Sequence, residues 1–337
     1  MKMSSPVTER EETVVKADRG YTAEGLAAKL ADRFKGHGPP PGFFEAARKY
    51  PALGTDHVLD LIKDPTFRDP VYRQVVPSKE EFGEDGEEDP AGETQFVAVP
   101  GLLHRYPDRA LIITTNRCLV RCRHCMRKRL WANDRQEDTN AEMSAWLDYL
   151  GSHPEIKEVI LSGGDPLALP EGRILQILEA LAGLPGERKM RVHSRALMAC
   201  PSRITEDLTR TMAACGVKRF VTQMNHPVEV TEAAKQAARL LAEAGIDVEN
   251  QAVLLKGVND SPKTLAGLFK KTAAAGVRPY YLHHPDRAKG CMHFYLSLEQ
   301  GASIFGAAQR LYKTNAPAYV ADLPGASSKQ EVLSLLK

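Results

Sequence analysis

From residue 110 onward, short β-rich runs alternate with longer helical ones, and this alternation constrains the fold more than any other feature of the chain. ALIITT (110–115) leads into helical spacing near 139–152, KEVILS (157–162) into 171–183, and KMRVHS (189–194) into 204–215. KRFVTQ (218–223), DVENQAVLL (247–255) and RPYYLHH (278–284) lead into 231–244, 262–275 and 298–313. APAYVADL (316–323) closes the series. The apolar period switches between 2 and 3.6 in each unit, which predicts a parallel sheet with helical crossovers. Six strand–helix units fall short of the eight of a closed barrel, leaving a partial, open barrel or a doubly wound sheet.

The region before the alternation is different. Leu26, Ala27, Leu30 and Phe34 predict a helix that ends at GHGPPPG (36–42), and a second helical region runs from Phe43 to Ile62. The acidic run EEFGEDGEEDP (80–90) reads as a solvated loop, and the first 20 residues read as a poorly ordered polar stretch. The chain therefore divides into a helical extension with its acidic loop (1–98), an α/β unit (99–330) and a tail (331–337). Lys+Arg is 45 and Asp+Glu is 43, a balance that argues against a nucleic-acid partner. The sequence shows neither an apolar run long enough for a membrane span nor the apolar core of a signal peptide, so it reads as cytoplasmic with no membrane partner.

In parallel α/β folds the chemistry lies at the C-terminal ends of the strands. There the sequence places Cys118, Cys122 and Cys125 after the first strand, Ser162-Gly163-Gly164-Asp165-Pro166 after the second, and Ser194 and Arg195 after the third. Asn225 and His226 follow the fourth, Asn250 and Gln251 lie within the fifth, His283, His284 and Asp286 end the sixth, and Asp322 and Lys329 follow the last. Cys200 and Cys215 read as core fillers. Three thiolates spaced C-x3-C-x2-C suit a 4Fe–4S cluster with one iron open, with zinc or inert thiols as the alternatives. The spacing resembles the signature of radical S-adenosylmethionine (SAM) enzymes. The SGGDP turn is similar to the one that holds the methionine end of SAM in that superfamily, which points to Ser162, Gly163, Gly164 and Asp165, with Gln251, as cofactor-binding residues.

A closer resemblance follows from VPGLLHRYPDRALI (99–112), CRHCMRKR (122–129), ILSGGDPL (160–167), NHPVEVTE (225–232), NQAVLLKGVND (250–260), RPYYLHHPD (278–286) and DLPGASSK (322–329). Together these resemble the lysine 2,3-aminomutase family over about residues 64–330. The resemblance implies a partial (β/α)6 radical SAM barrel and a second cofactor, pyridoxal 5′-phosphate (PLP), carried by Lys329. It implies arginines near the PLP phosphate at Arg105 and Arg109, a grip on the substrate α-carboxylate by Arg127, and a distal ammonium held by Asp286 and Asp322. The reaction implied is a radical shift of the α-amino group of L-lysine to the β-carbon, fed by a reductant such as flavodoxin or ferredoxin, with a homo-oligomer left open.

The sequence departs from the family in four places. Ala326, Ser327 and Ser328 replace loop glycines; Gln223 stands where the family has a SAM-contacting histidine; Ser261 follows GVND in place of a zinc-site cysteine; and the tail is short, so no structural zinc is expected. The short tail resembles the branch acting on a lysine of translation elongation factor P. A protein-bound lysine or arginine are thus the alternative substrates, and a non-catalytic iron–sulfur redox protein is the remoter alternative.

Overall fold

The computed structural model describes residues 21–131, 139–323, 326 and 328–336. The polar opening stretch, together with Pro324, Gly325, Ser327 and Lys337, lies outside them. The sheet has ten strands in sequential order. β1 (Val97–Val99) and β2 (Leu102–Tyr106) form an antiparallel edge. The next seven strands are parallel: β3 (Arg109–Ile113), β4 (Glu158–Ser162), β5 (Lys189–His193), β6 (Val217–Thr222), β7 (Asp247–Val253), β8 (Arg278–His283) and β9 (Ala318–Ala321). β10 (Gln330–Glu331) returns antiparallel to β9. The order stays linear from β1 to β10 and does not close on itself, as expected of the incomplete barrel.

Each crossover carries a helix, and four of the six start on a hydroxyl that the sequence supplies. Thr205, Thr231, Ser261 and Ser297 each accept an N–H from the first turn, and Gln300 completes a capping box with Ser297. The inner positions of β4, β5 and β7 are buried almost without a break, as in a sheet covered on both faces. One cluster of buried side chains runs from Leu26 to Val332, so the N-terminal helices share the core of the sheet.

Two readings of the N-terminal region need correction. The segment from Phe43 to Ile62 forms two helices, Phe43–Lys49 and Asp56–Leu61, because Pro51 interrupts the backbone hydrogen bonding between them. The acidic run is not simply solvated. It begins within a 3-10 turn, Lys79–Phe82, whose Glu81 is fully buried. Glu81 is drawn inside because two cations of the cysteine segment, Arg123 and Lys128, lie there to pair with it.

Candidate active site

A cavity of about 530 Å³ opens at the C-terminal ends of the parallel strands. The residues assigned from the sequence to cluster, cofactor and substrate lie on its wall, including Cys118, Cys122, Cys125, Gln251, Asp286 and Lys329, whereas Asn225, His226, Asn250 and His284, also placed at strand ends, do not line it. The cavity has a thiol end and a charged end.

The cysteine segment follows β3 and has no regular structure of its own, so other parts of the chain hold it. Backbone hydrogen bonds tie Arg121 N to Leu53 O (3.1 Å) and Arg123 N to Gln74 O (2.7 Å). Arg123 donates to both oxygens of Glu81 and to the Tyr50 carbonyl, while Lys128 donates to Glu81 and to the Gly290 carbonyl. Desolvation pushes the Cys118 thiol up; desolvation and the neighbouring Cys122 push Cys125 up to about 12. Binding iron would displace those protons. Cys118, Cys122 and Cys125 all line the cavity, and three thiolates are the donor set of a cluster with one iron left open.

The SGGDP turn is stitched to this segment. Gly164 N donates to Thr115 O and Asp165 N to Arg117 O, each at 2.7 Å. A Cβ on Gly164 would sit 2.1 Å from the Arg117 carbonyl, and Gly163 has φ +130°. The glycines therefore let two backbones meet, and the turn presents its Ser162 hydroxyl and Asp165 to the cavity. Asp165 accepts from Leu167 N, Ser194 Oγ and Arg195 N, which fixes the end of β5 against the turn.

At the charged end, the short β9–β10 pairing sets Gln330 opposite Ala321. That brings Lys329 beside Asp322, and its ammonium pairs with the Asp322 carboxylate. Arg105 lies 3.7 Å from the other Asp322 oxygen and donates to Ala326 O at 2.7 Å, while its buried Nε has no partner among the described residues. Burial alone would raise the Asp322 carboxyl, but the Lys329 charge and hydrogen bond overcome this and hold it below the usual range. Asp286 enters no ion pair among the described residues. Burial and the negative Asp322 push it up to about 7. Arg109 turns to its neighbour Asp108 (2.9 Å) and lies over the Tyr106 ring at the rim.

Sequence reasoning missed several residues of this cavity. Glu93, just past the acidic run, takes the Nε and Nη2 edge of Arg127 at 2.6–3.1 Å, and Arg127 Nη1 reaches Ser162 Oγ and the Gly163 carbonyl. Burial works against ionisation of Glu93, yet Arg127 and Arg129 hold its carboxyl down at about 2. Tyr281 and His193 also line the wall; Lys329 Nζ lies 5.9 Å from the Tyr281 ring centroid, and His193 Nε2 is buried without a partner among the described residues. The orphaned nitrogens of His193 and Arg105 are polar groups that a polar ligand would satisfy. Gln223 reaches the cavity and donates to His124 Nε2 at 3.1 Å.

The chain is similar in sequence to known proteins. The radical SAM superfamily profile matches residues 112–268. An L-lysine 2,3-aminomutase of Escherichia coli K12 is 39% identical over 249 residues, covering 73% of this chain and 72% of that protein. One from Methanococcus maripaludis is 37% identical, covering 79% of this chain and 62% of that protein. One from Acetoanaerobium sticklandii is 35% identical, covering 83% and 68%.

Proposed function

The chain belongs to the lysine 2,3-aminomutase family of radical SAM isomerases, and on that premise we propose that it moves the α-amino group of L-lysine to the β-carbon. The observation that carries this reading is the charge content of the cavity: a largely buried arginine, Arg127, and two carboxylates, Asp286 and Asp322, line the same space. Such a set of charges suits a zwitterionic amino acid with a cationic side chain, since a buried charge is tolerated only when paired.

Cys118, Cys122 and Cys125 would hold a 4Fe–4S cluster; the Ser162–Asp165 turn and Gln251 would hold SAM; Lys329, with Arg105 at hand for the phosphate, would hold PLP. When bound, the cluster and SAM supply a carbon radical able to remove a β-hydrogen, and PLP supplies the π-system through which nitrogen migrates. The protein binds, orients and keeps out water. Arg127 turns one edge to Glu93 and Nη1 to the Ser162–Gly163 turn, and so is held in one orientation; its Nη1 would exchange those turn contacts for the α-carboxylate as a charge-assisted donor. With Lys329 Nζ committed to the cofactor, the Asp322 oxygen that now meets Lys329 would be released, with Asp286, to accept the distal ammonium, while Arg105 stays beside the other oxygen. That incoming positive charge also favours the ionised form of Asp286. A one-electron donor such as flavodoxin or ferredoxin belongs to the same reading.

The test is anaerobic turnover of reconstituted protein with dithionite, SAM, PLP and lysine, arginine or glutamate in separate reactions, read by mass spectrometry after chiral derivatisation. β-Lysine is the expected product, reduced at least about 10³-fold in Lys329→Ala. Conversion of arginine alone, or SAM cleavage with no free amino acid converted, would overturn the assignment of free lysine as substrate.

A further inference from the structure

Arg195, at the end of β5, is used by none of the steps above. It is buried, and its backbone is pinned by the Asp165 carboxylate, which accepts Arg195 N at 2.9 Å. Its guanidinium spans three parts of the fold. Nε donates to Gln223 O beyond β6 (2.9 Å), and Nη2 donates to Gln74 Oε1 in the N-terminal extension (2.6 Å) and to Glu229 Oε2 (3.2 Å). Nη1 points the other way, to the sulfur of Cys122 at 2.8 Å. Glu229 is itself fully buried and is held in place by Gln74 Nε2 at 2.7 Å and Asn225 N at 3.0 Å. A fixed cation is thereby aimed at one of three thiols, while the other two have none so placed among the described residues.

We propose that Arg195, oriented by Glu229 and Gln74, is a positioning residue that sets the reduction potential of the cluster through a charge-assisted hydrogen bond to the sulfur of Cys122. The inference rests on the reading that Cys122 is a cluster ligand. One-electron reduction adds negative charge to the cluster and its thiolates. A cation donating to one of those sulfurs stabilises the reduced form more than the oxidised form and raises the potential. The Glu229 carboxylate, on the far side of the guanidinium, offsets part of that charge and lowers the potential again. The two residues therefore act with opposite signs at the same cluster.

The opposition separates this role from a merely structural one. The measurement is a redox titration of the reconstituted enzyme followed by the EPR signal of the reduced cluster, with iron and sulfide analysed in each preparation. Arg195→Met is expected to shift the midpoint to lower potential, Arg195→Lys to recover part of the shift, and Glu229→Gln to shift the midpoint upward. An unmoved midpoint in Arg195→Met at full iron content would overturn the proposal, as would a downward shift in both variants. Where Arg195→Met fails to take up iron, Glu229→Gln decides: a rise supports the proposal, and no change or a fall overturns it. Absence of any cluster in the unsubstituted protein would overturn the proposed function along with this inference. A normal cluster whose potential ignores both residues would overturn this inference alone.

Discussion

Beneath the cysteine segment, Glu81 accepts hydrogen bonds from Arg123 and Lys128, and all three side chains are buried with their partners in place. At the charged end, Asp286 enters no ion pair among the described residues, and Asp322 pairs with Lys329 and lies 3.7 Å from Arg105. Both regions put carboxylates out of water. In the first, the opposing charges are built in and the group is held ionised: burial would raise Glu81, and its two cations outweigh burial to keep it low. In the second, the charge balance is less complete, and burial with the neighbouring Asp322 pushes Asp286 up to about 7. The difference separates a scaffold from a receptor. A committed pair fixes a loop, whereas an uncommitted carboxylate stores a demand for a cation that a substrate can meet.

The largest test of this contrast is Glu81→Ala. It leaves Arg123 and Lys128 buried without a counter-charge, which costs about 3–5 kcal/mol. Denaturant unfolding should show that loss together with weak iron uptake, since both cations lie within the cysteine segment. Stability close to that of the unsubstituted protein would mean that the scaffold lies elsewhere.

Asp286→Asn should act with the opposite sign. The folded-state value of about 7 stands above the unfolded carboxyl value of about 4. The folded chain thus binds more protons between those two pH values, and its stability falls as pH rises through that window. Asparagine carries no such penalty, so at pH 8 the variant should be more stable by roughly 1–3 kcal/mol, the gap closing as pH drops toward about 4. Its kcat/KM for lysine should fall by about 10²-fold or more, since the ammonium loses a buried partner. Thermal melts across pH would break the comparison if the variant were the less stable protein at pH 8.

The sequence made some of this contrast legible and hid the rest, for physical reasons. The parallel strands and their helices were readable to within a few residues because periodicity and hydroxyl caps such as Thr205 and Ser297 are local signals. The gathering of cysteines, glycines and carboxylates on one cavity followed from strand ends alone. Glu81 and Glu93 were not readable, because a glutamate in or beside an acidic run looks the same whether it meets water or a cation about 40 residues away in the chain. Arg195 could be placed at a strand end, but its contacts reach back to Gln74 and forward to Glu229, a grouping that only the fold assembles. β10 is two residues long and has no periodicity to read, yet it is what seats Lys329 beside Asp322.

The smallest effect expected separates two arginines that the sequence places side by side in one motif, HRYPDR. Arg105 is mostly buried, sits at the charged end and has an Nε with no partner among the described residues, which leaves donor capacity for a phosphate. Arg109 is more than a third exposed and already spends its Nε on Asp108. An exposed pair between sequence neighbours contributes under about 1 kcal/mol. Arg109→Gln should therefore leave stability within that margin and change PLP affinity, followed by absorbance titration, by less than about threefold. Arg105→Gln should weaken PLP binding about tenfold or more, as loss of a charge-assisted donor to a phosphate requires. Equal losses in the two variants would place Arg109 with the committed groups of the receptor end and move the boundary between scaffold and receptor outward to the rim.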